Sequence, residues 1–323
     1  MKIAQRDINP FSFTDSNKRY YTYDYYLRNR FGGKCSKITL DAGFTCPNID
    51  GKCGVGGCIY CSDRGSGDFT QGSEIPLEEQ FCLQRQKIIT KWDAKKFIPY
   101  LQAHTNTYAP IEKLKDVYDR VLSLPDCVGF NIATRADCLP PETVELIAEI
   151  AERTTLTVEL GLQSIHDKTA ELINRGHTYD DFLEGLYRLR KASSKIGVCV
   201  HLIDGLPGED KDMMLTTARE VGLLHPEQIK FHLLHVLKRT KLADMYENGE
   251  YTPLSLEEYA DIICCQLEII PEDIVIGRIT GDGGADDLIA PQWSKKKFVV
   301  MNTIDRLLFE RNSYQGKFFE NNE

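Results

Sequence analysis

The sequence lacks any apolar stretch as long as a membrane span. A membrane-spanning helix needs about 20 predominantly apolar residues, and no such run occurs in the 323 residues. The first twenty residues also lack the apolar core of a signal peptide. We therefore predict a cytoplasmic protein with no membrane partner. Internal repeats and low-complexity linkers are absent too, and the length suits one large domain or two ordinary ones.

An excess of positive charge is also missing, because the formal net charge is −9. Nucleic-acid binding relies on phosphate contacts, so an acidic protein would need a local basic patch. One candidate is residues 17–37. This segment contains the cations Lys18, Arg19, Arg28, Arg30, Lys34 and Lys37, with Asp24 and Tyr20, Tyr21, Tyr23, Tyr25 and Tyr26. Cations and flat rings suit RNA, but tyrosines that pack on the protein body explain the segment as well.

From residue 37 onwards, strand-like and helix-like segments alternate. Segments rich in Val, Ile, Leu and Phe have the pattern of buried parallel strands; they lie at 37–43, 96–103, 127–134, 155–164, within 196–209, and at 228–236. Right-handed crossovers would curl six such units into an α/β fold, a partial (β/α)6 TIM-type barrel. We predict an N-terminal extension (1–36), the barrel (37–270) and a C-terminal extension (271–323) packed on it.

Four of the eleven cysteines lie close together, in the loop after the first strand. In a cytoplasmic protein such a group indicates a metal site more than disulfides. Four thiolates from Cys46, Cys53, Cys58 and Cys61 would suit zinc, although zinc ribbons use two close pairs and only Cys58 and Cys61 form one. Three thiolates would suit a 4Fe–4S cluster with one iron left open. The spacing alone leaves zinc, a cluster and unligated cysteines as alternatives.

The residues around these cysteines resemble the radical S-adenosylmethionine (SAM) superfamily, in which an aromatic residue precedes the last cysteine, as Tyr60 does here. The closer resemblance is to the YhcC/YtqA-like family, which is related to the elongator catalytic subunit. It covers about residues 17–310 and is carried by the motifs Cys46-Pro47-Asn48, Asp50-Gly51, Gly56-Gly57-Cys58, Tyr60-Cys61 and Gly65-Ser66-Gly67-Asp68-Phe69. The resemblance implies that Cys46, Cys58 and Cys61 hold a 4Fe–4S cluster and that Cys53 is not a ligand.

The same resemblance implies where SAM binds. Active sites of barrels lie at the carboxyl ends of the strands, and the SAM contacts would come from the loops there. Thr105 and Asn106 stand where the superfamily has a glycine-rich contact to the amino group of SAM. Gln163 would contact the ribose or the methionine, Arg175 would bind the carboxylate, and His201 would contact the ribose. Thr134, at the end of the third strand, is a further candidate.

Candidate catalytic residues come from the sixth strand and from the segment GRITGDGG. They are Lys230, His232, His235, Arg278 and Asp282. Because side chains alternate along a strand, we expect Lys230 and His232 on one face and His235 on the other. Histidines near a barrel mouth can donate protons, but buried supporting roles explain them as well.

The resemblance also implies a reaction. The enzyme would act on the wobble uridine of a tRNA and convert a carboxymethylaminomethyl side chain to aminomethyl, with an electron donor such as flavodoxin or ferredoxin. Two alternatives stay open. One is a radical SAM oxidoreductase that acts on a small molecule, and the other is an RNA-binding protein that a zinc ion or a cluster stabilises and that has no catalytic activity.

Overall fold

A computed structural model describes residues 10–62, 65, 70–92, 94–281 and 286–320. A parallel sheet curls into a half-barrel at its centre, which confirms the predicted α/β partial barrel. In spatial order its strands are β1 (Cys35–Leu40), β2 (Lys96–Leu101), β3 (Gly129–Thr134), β4 (Thr155–Gln163), β5 (Ile196–Asp204), β6 (Gln228–Leu233) and β8 (Val275–Arg278). A short antiparallel ribbon pairs β7 (Val236–Leu237) with β9 (Leu288–Ala290).

Helices cover the outside of the sheet. They are α1 (Tyr23–Phe31), α2 (Leu77–Lys91), α3 (Ile111–Leu122), α4 (Pro141–Arg153), α5 (Asp167–Leu172), α6 (Tyr179–Ala192), α7 (Lys211–Leu223), α8 (Lys241–Glu247), α9 (Leu256–Glu268) and α10 (Lys297–Glu310). Capping boxes begin α6 at Thr178 and α9 at Ser255, and Pro141 occupies the first position of α4. No helix in the described part of the chain is long and apolar enough to cross a bilayer.

The sheet has one strand more than the six that the sequence predicts. The segment 273–280, assigned to the C-terminal extension, supplies β8, which pairs in parallel with β6 and forms the second edge. Only four residues of β8 are extended. So short a strand gains its stability from pairing with β6, a contact that local sequence does not reveal.

The N-terminal segment closes the end of the barrel at which the strands begin. Leu27 of α1 packs with Cys35 and Ile98, near the starts of β1 and β2, and the guanidinium of Arg30 donates to Thr155 Oγ1, at the start of β4. The main-chain N–H of Ile276 in β8 donates to Tyr21 O (2.8 Å). This segment therefore lies at the opposite end of the barrel from the strands' carboxyl ends.

Candidate active site

A cavity of about 320 Å³ lies at the carboxyl ends of the strands. Its walls come from the loop after β1 and from the ends of the other strands of the sheet. Among the lining residues are Cys46, Cys58, Cys61, Gln102, Thr134, Gln163, Ile203, Leu233 and Arg278. The position is the one expected for the active site of a parallel barrel.

The cysteine loop is held in shape mainly by its own backbone and by one buried asparagine. Main-chain N–H groups of Ile49 and Asp50 donate to Cys46 O, and that of Cys61 donates to Cys58 O. The amide of Asn48, which is fully buried, donates to Asn174 O and to Cys58 Sγ, the latter at 3.7 Å. One side chain therefore joins the loop to the chain after α5 and also contacts a cysteine sulfur.

Glycines meet two different demands in this loop. Gly51, Gly56 and Gly57 have φ values of 93°, 82° and 72°, which residues with a Cβ rarely adopt. Gly54 has no such φ, but a Cβ there would lie 2.1 Å from Asn48 Oδ1. The glycines thus permit both the turns of the loop and its tight packing on Asn48.

Three of the four clustered cysteines line the cavity: Cys46, Cys58 and Cys61. The fourth, Cys53, is exposed, and its thiol lies 3.8 Å from Asp137 Oδ2 on the side of the loop that faces a second, separate cavity. Within the described residues, no three of these four thiols come within 4.8 Å of one another. Ligands of a single zinc ion would converge more closely, so the arrangement favours a larger group such as a cluster.

The environment of Cys58 favours the thiolate that a metal needs. A hydrogen bond from Cys61 outweighs burial and, together with the charge of Arg135 and contacts from Tyr60 and Asn48, lowers the pKa of the Cys58 thiol to about 7. Low-pKa thiols in electropositive surroundings are good metal ligands. Cys46, Cys58 and Cys61 could therefore hold a 4Fe–4S cluster, and the donor set fits that group.

Of the six residues predicted to bind SAM, five line the cavity and one does not. Thr105, Thr134, Gln163, Arg175 and His201 contribute to its wall. Gln163 has a positive φ of 65° at a bulge between β4 and β5, a conformation that costs energy and is common at functional sites. The side-chain amide of Asn106 instead donates to main-chain carbonyls of Leu101 (3.2 Å) and Ala133 (2.9 Å), so it links β2 to β3.

Arg175 is buried rather than placed in a surface ion pair. Its guanidinium donates to the main-chain carbonyls of Leu162, Ser164 and His177, so it fixes the backbone at the end of β4. Its second terminal nitrogen makes no hydrogen bond among the described residues and lies 3.7 Å from Asp167 Oδ1. Arg175 thus supports the cavity wall and keeps donor capacity for a ligand.

Four of the five candidate catalytic residues also line the cavity: Lys230, His232, His235 and Arg278. The fifth, Asp282, lies outside the described residues. The expectation that His235 faces away from Lys230 is wrong. Strand β6 ends at Leu233, and the N–H of Leu234 turns to donate to Asp204 O. Alternation stops there, so His235 returns to the cavity side.

Sequence reasoning missed Glu159, the only acidic side chain lining the cavity among the described residues. Its fully buried carboxylate accepts from Lys37 Nζ (2.7 Å), Asn131 Nδ2 (2.7 Å), His201 Nε2 (2.8 Å) and Lys230 Nζ. Burial opposes its charge, but the two ammonium groups hold the pKa of Glu159 well below its usual range. A glutamate in the apolar strand TLTVELGLQ was the available signal, because buried charges need partners.

Arg135 was also missed. It lines the cavity, and its guanidinium donates to Asp137 (2.8 and 3.0 Å) and to the main-chain carbonyl of Arg175 (2.6 Å). Its charge favours the thiolate of Cys58. Nothing in the local sequence marks it, because its role arises from the meeting of three separate loops.

Comparison with known proteins agrees with this geometry. Residues 51–221 match the radical SAM superfamily, and residues 226–310 match the radical SAM C-terminal domain. The chain is 48% identical over 312 residues to the uncharacterized protein YtqA of Bacillus subtilis, an alignment that covers 97% of this chain and 96% of that protein. The chain belongs to the radical SAM superfamily. As a radical SAM enzyme of the YhcC/YtqA-like family, it uses a 4Fe–4S cluster and SAM as cofactors.

More distant relatives of this radical SAM enzyme share only part of it. A tRNA uridine(34) acetyltransferase of Methanocaldococcus jannaschii is 32% identical over 160 residues, which are 48% of this chain and 28% of that protein. The solved structure of the Methanocaldococcus infernus Elp3 with an N-terminal deletion has a TM-score of 0.61 at 18% identity, covering 87% of this chain and 64% of that one. The structural likeness concerns the fold alone.

Proposed function

We propose that this radical SAM enzyme acts on the wobble uridine of tRNA and converts a carboxymethylaminomethyl substituent to aminomethyl. SAM would be the two-electron oxidant and would leave as methionine and 5′-deoxyadenosine, while the substituent's N–CH2 bond is oxidised to a C=N bond. Water would hydrolyse that bond, so that the acid portion leaves as a two-carbon aldehyde acid. The observation that carries the proposal is a cavity of about 320 Å³, lined by Lys230 at its inner end, with exposed cations beside it. Support for the RNA class comes from the relative named as a tRNA uridine(34) acetyltransferase. Such a substrate would place the reaction in the cytoplasm.

In this proposal different residues of the cavity bind the cluster, bind SAM and exclude water. Cys46, Cys58 and Cys61 would hold the 4Fe–4S cluster, which would supply the electron for reductive cleavage of SAM when a donor such as flavodoxin or ferredoxin reduces it. Arg175 binds the carboxylate of SAM, and Gln163 and His201 contact its methionine or ribose portion. The apolar wall of Ile203, Leu233, Leu234 and Leu237 excludes water from the reacting atoms.

The surface proposed to bind RNA is a basic rim beside the cavity. We define the basic rim as two groups of exposed side chains. The first follows β7, and the second lies around the start of α10, which follows β9: Lys238, Arg239 and Lys241, and Lys295, Lys296, Lys297 and Phe298. Leu237 lines the cavity, and Lys297 is close enough to lower the pKa of the buried His235. Phe298 is 77% exposed beside three lysines. Cations for phosphates and a free ring for a base are typical of single-stranded RNA sites.

The tyrosine-rich N-terminal segment does not serve this purpose in the proposal. Arg28 is paired with Asp15 and Asp24, and Lys18 with Asp305. Arg19 is buried and donates to Ser313 O. These cations are used within the protein, at the end of the barrel away from the cavity. They favour the structural interpretation of the segment.

The direct test is nucleoside analysis of tRNA from cells that lack the protein. Carboxymethylaminomethyl uridine should accumulate, and purified enzyme loaded with cluster, SAM and a reductant should convert it to aminomethyl uridine. The control is the Cys58→Ala protein, which should lack the cluster and cleave no SAM. An unchanged nucleoside profile, with SAM cleavage that does not depend on RNA, would instead support a small-molecule substrate, which the cavity volume also permits.

The basic rim has its own test. Lys295→Glu/Lys296→Glu should weaken tRNA binding at least tenfold, because neither lysine has an ion-pair partner among the described residues and both are free to meet phosphates. Lys87→Glu/Lys191→Glu is the matched control. These two exposed lysines lie in the C-terminal half of α2 and the last turn of α6, towards the opposite end of the barrel. Equal losses in both double variants would remove the rim from the proposal.

A further inference from the structure

The inner end of the cavity is charged, although it lies inside the barrel. We call Glu159, His201 and Lys230, which line the cavity, the cavity floor. Lys230 lies three residues before the end of β6, which is roughly 10 Å below the strand ends at about 3.3 Å per residue. A substituent that projects down from a base held at the strand ends would point towards it.

Counted over the described residues, two ammonium groups share one carboxylate at the floor, which leaves one positive charge without a counter-charge. The Glu159 carboxylate accepts from two ammonium groups, Lys37 and Lys230, and from the amide of Asn131. Lys37 does not line the cavity, whereas Lys230 does. Leaving a buried charge without compensation is costly. An anionic ligand in the cavity would complete the set of charges.

Two imidazoles also line the cavity: that of His232 lies near Lys230, and that of His235 lies near Arg278 and Lys297. The Nε2 atoms of His232 and His235 are buried and make no hydrogen bond within the described residues. The rings of His232 and His201 lie 5.0 Å apart. A buried polar nitrogen that lines a cavity and has no protein partner is suited to a ligand.

We infer that Lys230, together with His232, binds the carboxylate of the substrate's substituent and so selects substrates that carry one. This inference rests on the proposed function for the identity of the substrate, but the anion site stands on the geometry of the floor. Lys230 Nζ donates to the carboxylate, and the imidazole of His232 donates from Nε2. Arg278, on the neighbouring strand β8, lines the same wall.

The charge states of the floor support this assignment. Burial, opposed by Glu159, lowers the pKa of Lys230 to about 8, so it stays mostly charged at neutral pH. Burial also lowers the pKa of His201 and of His235 to about 4 and that of His232 well below its usual range, so the imidazoles are neutral. The groups that face Lys230 are Lys37, Tyr100, Glu159, Cys199, His201, His232 and Arg278.

The experiment compares three anticodon stem-loop RNAs that differ only at the wobble uridine. The first carries carboxymethylaminomethyl, the second its uncharged carboxamide, and the third no substituent. Binding is measured with the cluster-loaded enzyme and SAM, without reductant. We expect the carboxylate RNA to bind at least tenfold more tightly than the carboxamide RNA, a difference of about 1.4 kcal/mol.

Three variants test whether the cavity floor causes the preference for the carboxylate RNA. Lys230→Met should reduce it to twofold or less, and His232→Leu should reduce it by about threefold. His232→Leu breaks no hydrogen bond of Nε2 within the described residues, so it tests the site without disturbing the fold. Lys37→Met is the matched control, because it removes an ammonium from the same carboxylate but outside the cavity; it should keep at least a fivefold preference. Wild type without a preference, or Lys37→Met with the same loss as Lys230→Met, would overturn the inference.

A second measurement separates the inference from the proposed function. Saturation-transfer NMR with N-ethylglycine, a fragment of the substituent, should detect binding to wild type and not to Lys230→Met, and N-ethylglycinamide should give no signal. If no stem-loop binds better than an unrelated hairpin, the tRNA proposal fails. Binding of N-ethylglycine then still tests whether the cavity floor is a carboxylate site. Equal signals from acid and amide would refute the carboxylate site while leaving the tRNA proposal intact.

Discussion

Replacing Glu159 by Gln tests how the barrel tolerates charge in its interior. In the native protein the carboxylate is the shared partner of Lys37 and Lys230 and also accepts from Asn131 and His201. Within the part of the chain that the structure describes, Glu159 is the one carboxylate that the two ammonium groups contact, so Glu159→Gln leaves them without it, and the new amide N–H₂ points at donors. Removing one partner of a buried ion pair costs about 3–5 kcal/mol.

This loss of stability can be expressed as a decrease in the melting temperature, Tm. Unfolding entropy is about 2.1 cal/mol/K per residue, or about 0.7 kcal/mol/K for this chain, so the Tm of Glu159→Gln should fall by about 4–7 °C. The measurement is thermal unfolding of the cluster-free protein under reducing conditions at pH 7. Glu152→Gln is the control, because its pair with Lys195 is more than half exposed and should cost less than about 1 kcal/mol.

A second substitution tests the cause. Glu159→Gln/Lys230→Met removes one of the two cations left without a counter-charge, so it should be more stable than Glu159→Gln alone by about 1–3 kcal/mol. A Tm of Glu159→Gln within 2 °C of wild type would refute the reasoning. The reasoning would also be refuted if Glu159→Gln/Lys230→Met were less stable than both single variants.

Three further predictions concern the site. Cys58→Ser should lose the visible absorption and the iron of the reconstituted protein, whereas Cys53→Ser should keep both and still cleave SAM; iron loss in the second variant would make Cys53 a ligand. Asn48→Ala should lower the reduction potential of the cluster, measured by potentiometric EPR, because the N–H···S contact at 3.7 Å favours the more negative reduced state; an unchanged potential would mean that Asn48 only holds the loop. Affinity for the carboxylate stem-loop should fall as pH rises through about 8, since Lys230 then loses its charge, while the carboxamide stem-loop should show no such change.

The fold was predictable wherever local pattern and position agree. The apolar segments at 96–103 and 155–164 predict buried strands, and β2 (Lys96–Leu101) and β4 (Thr155–Gln163) lie within them. Parallel order then places the loops after each strand at one end of the barrel. For this reason the order of strands and helices along the chain is enough to predict that Cys46, in the loop after β1, and Gln163, at the end of β4, share one cavity.

The parts that were not predictable depend on contacts between distant segments. Strand β8 exists through its pairing with β6, and the side on which His235 lies depends on where β6 ends. Asn106 carries a polar side chain at the expected position, yet main-chain carbonyls of two strands use its amide. Sequence spacing identifies which residues reach an end of the barrel, but it does not say which of them are already engaged by neighbours.

The distribution of charge leads to a last prediction, on salt. A chain with net charge −9 repels RNA at long range, so the basic rim must act locally. The rim offers six cations, and Arg239 is paired with Asp287 (3.3 Å). Each phosphate contact contributes about 0.7–0.9 to the slope of log K against log salt. We therefore expect a slope no steeper than about −5 for tRNA, and a shallower one in Lys295→Glu/Lys296→Glu. A steeper slope would require phosphate contacts elsewhere on the protein. Phosphate contacts are alike in every tRNA and so carry no sequence information. A slope within this limit would therefore mean that discrimination between tRNAs comes mainly from the cavity.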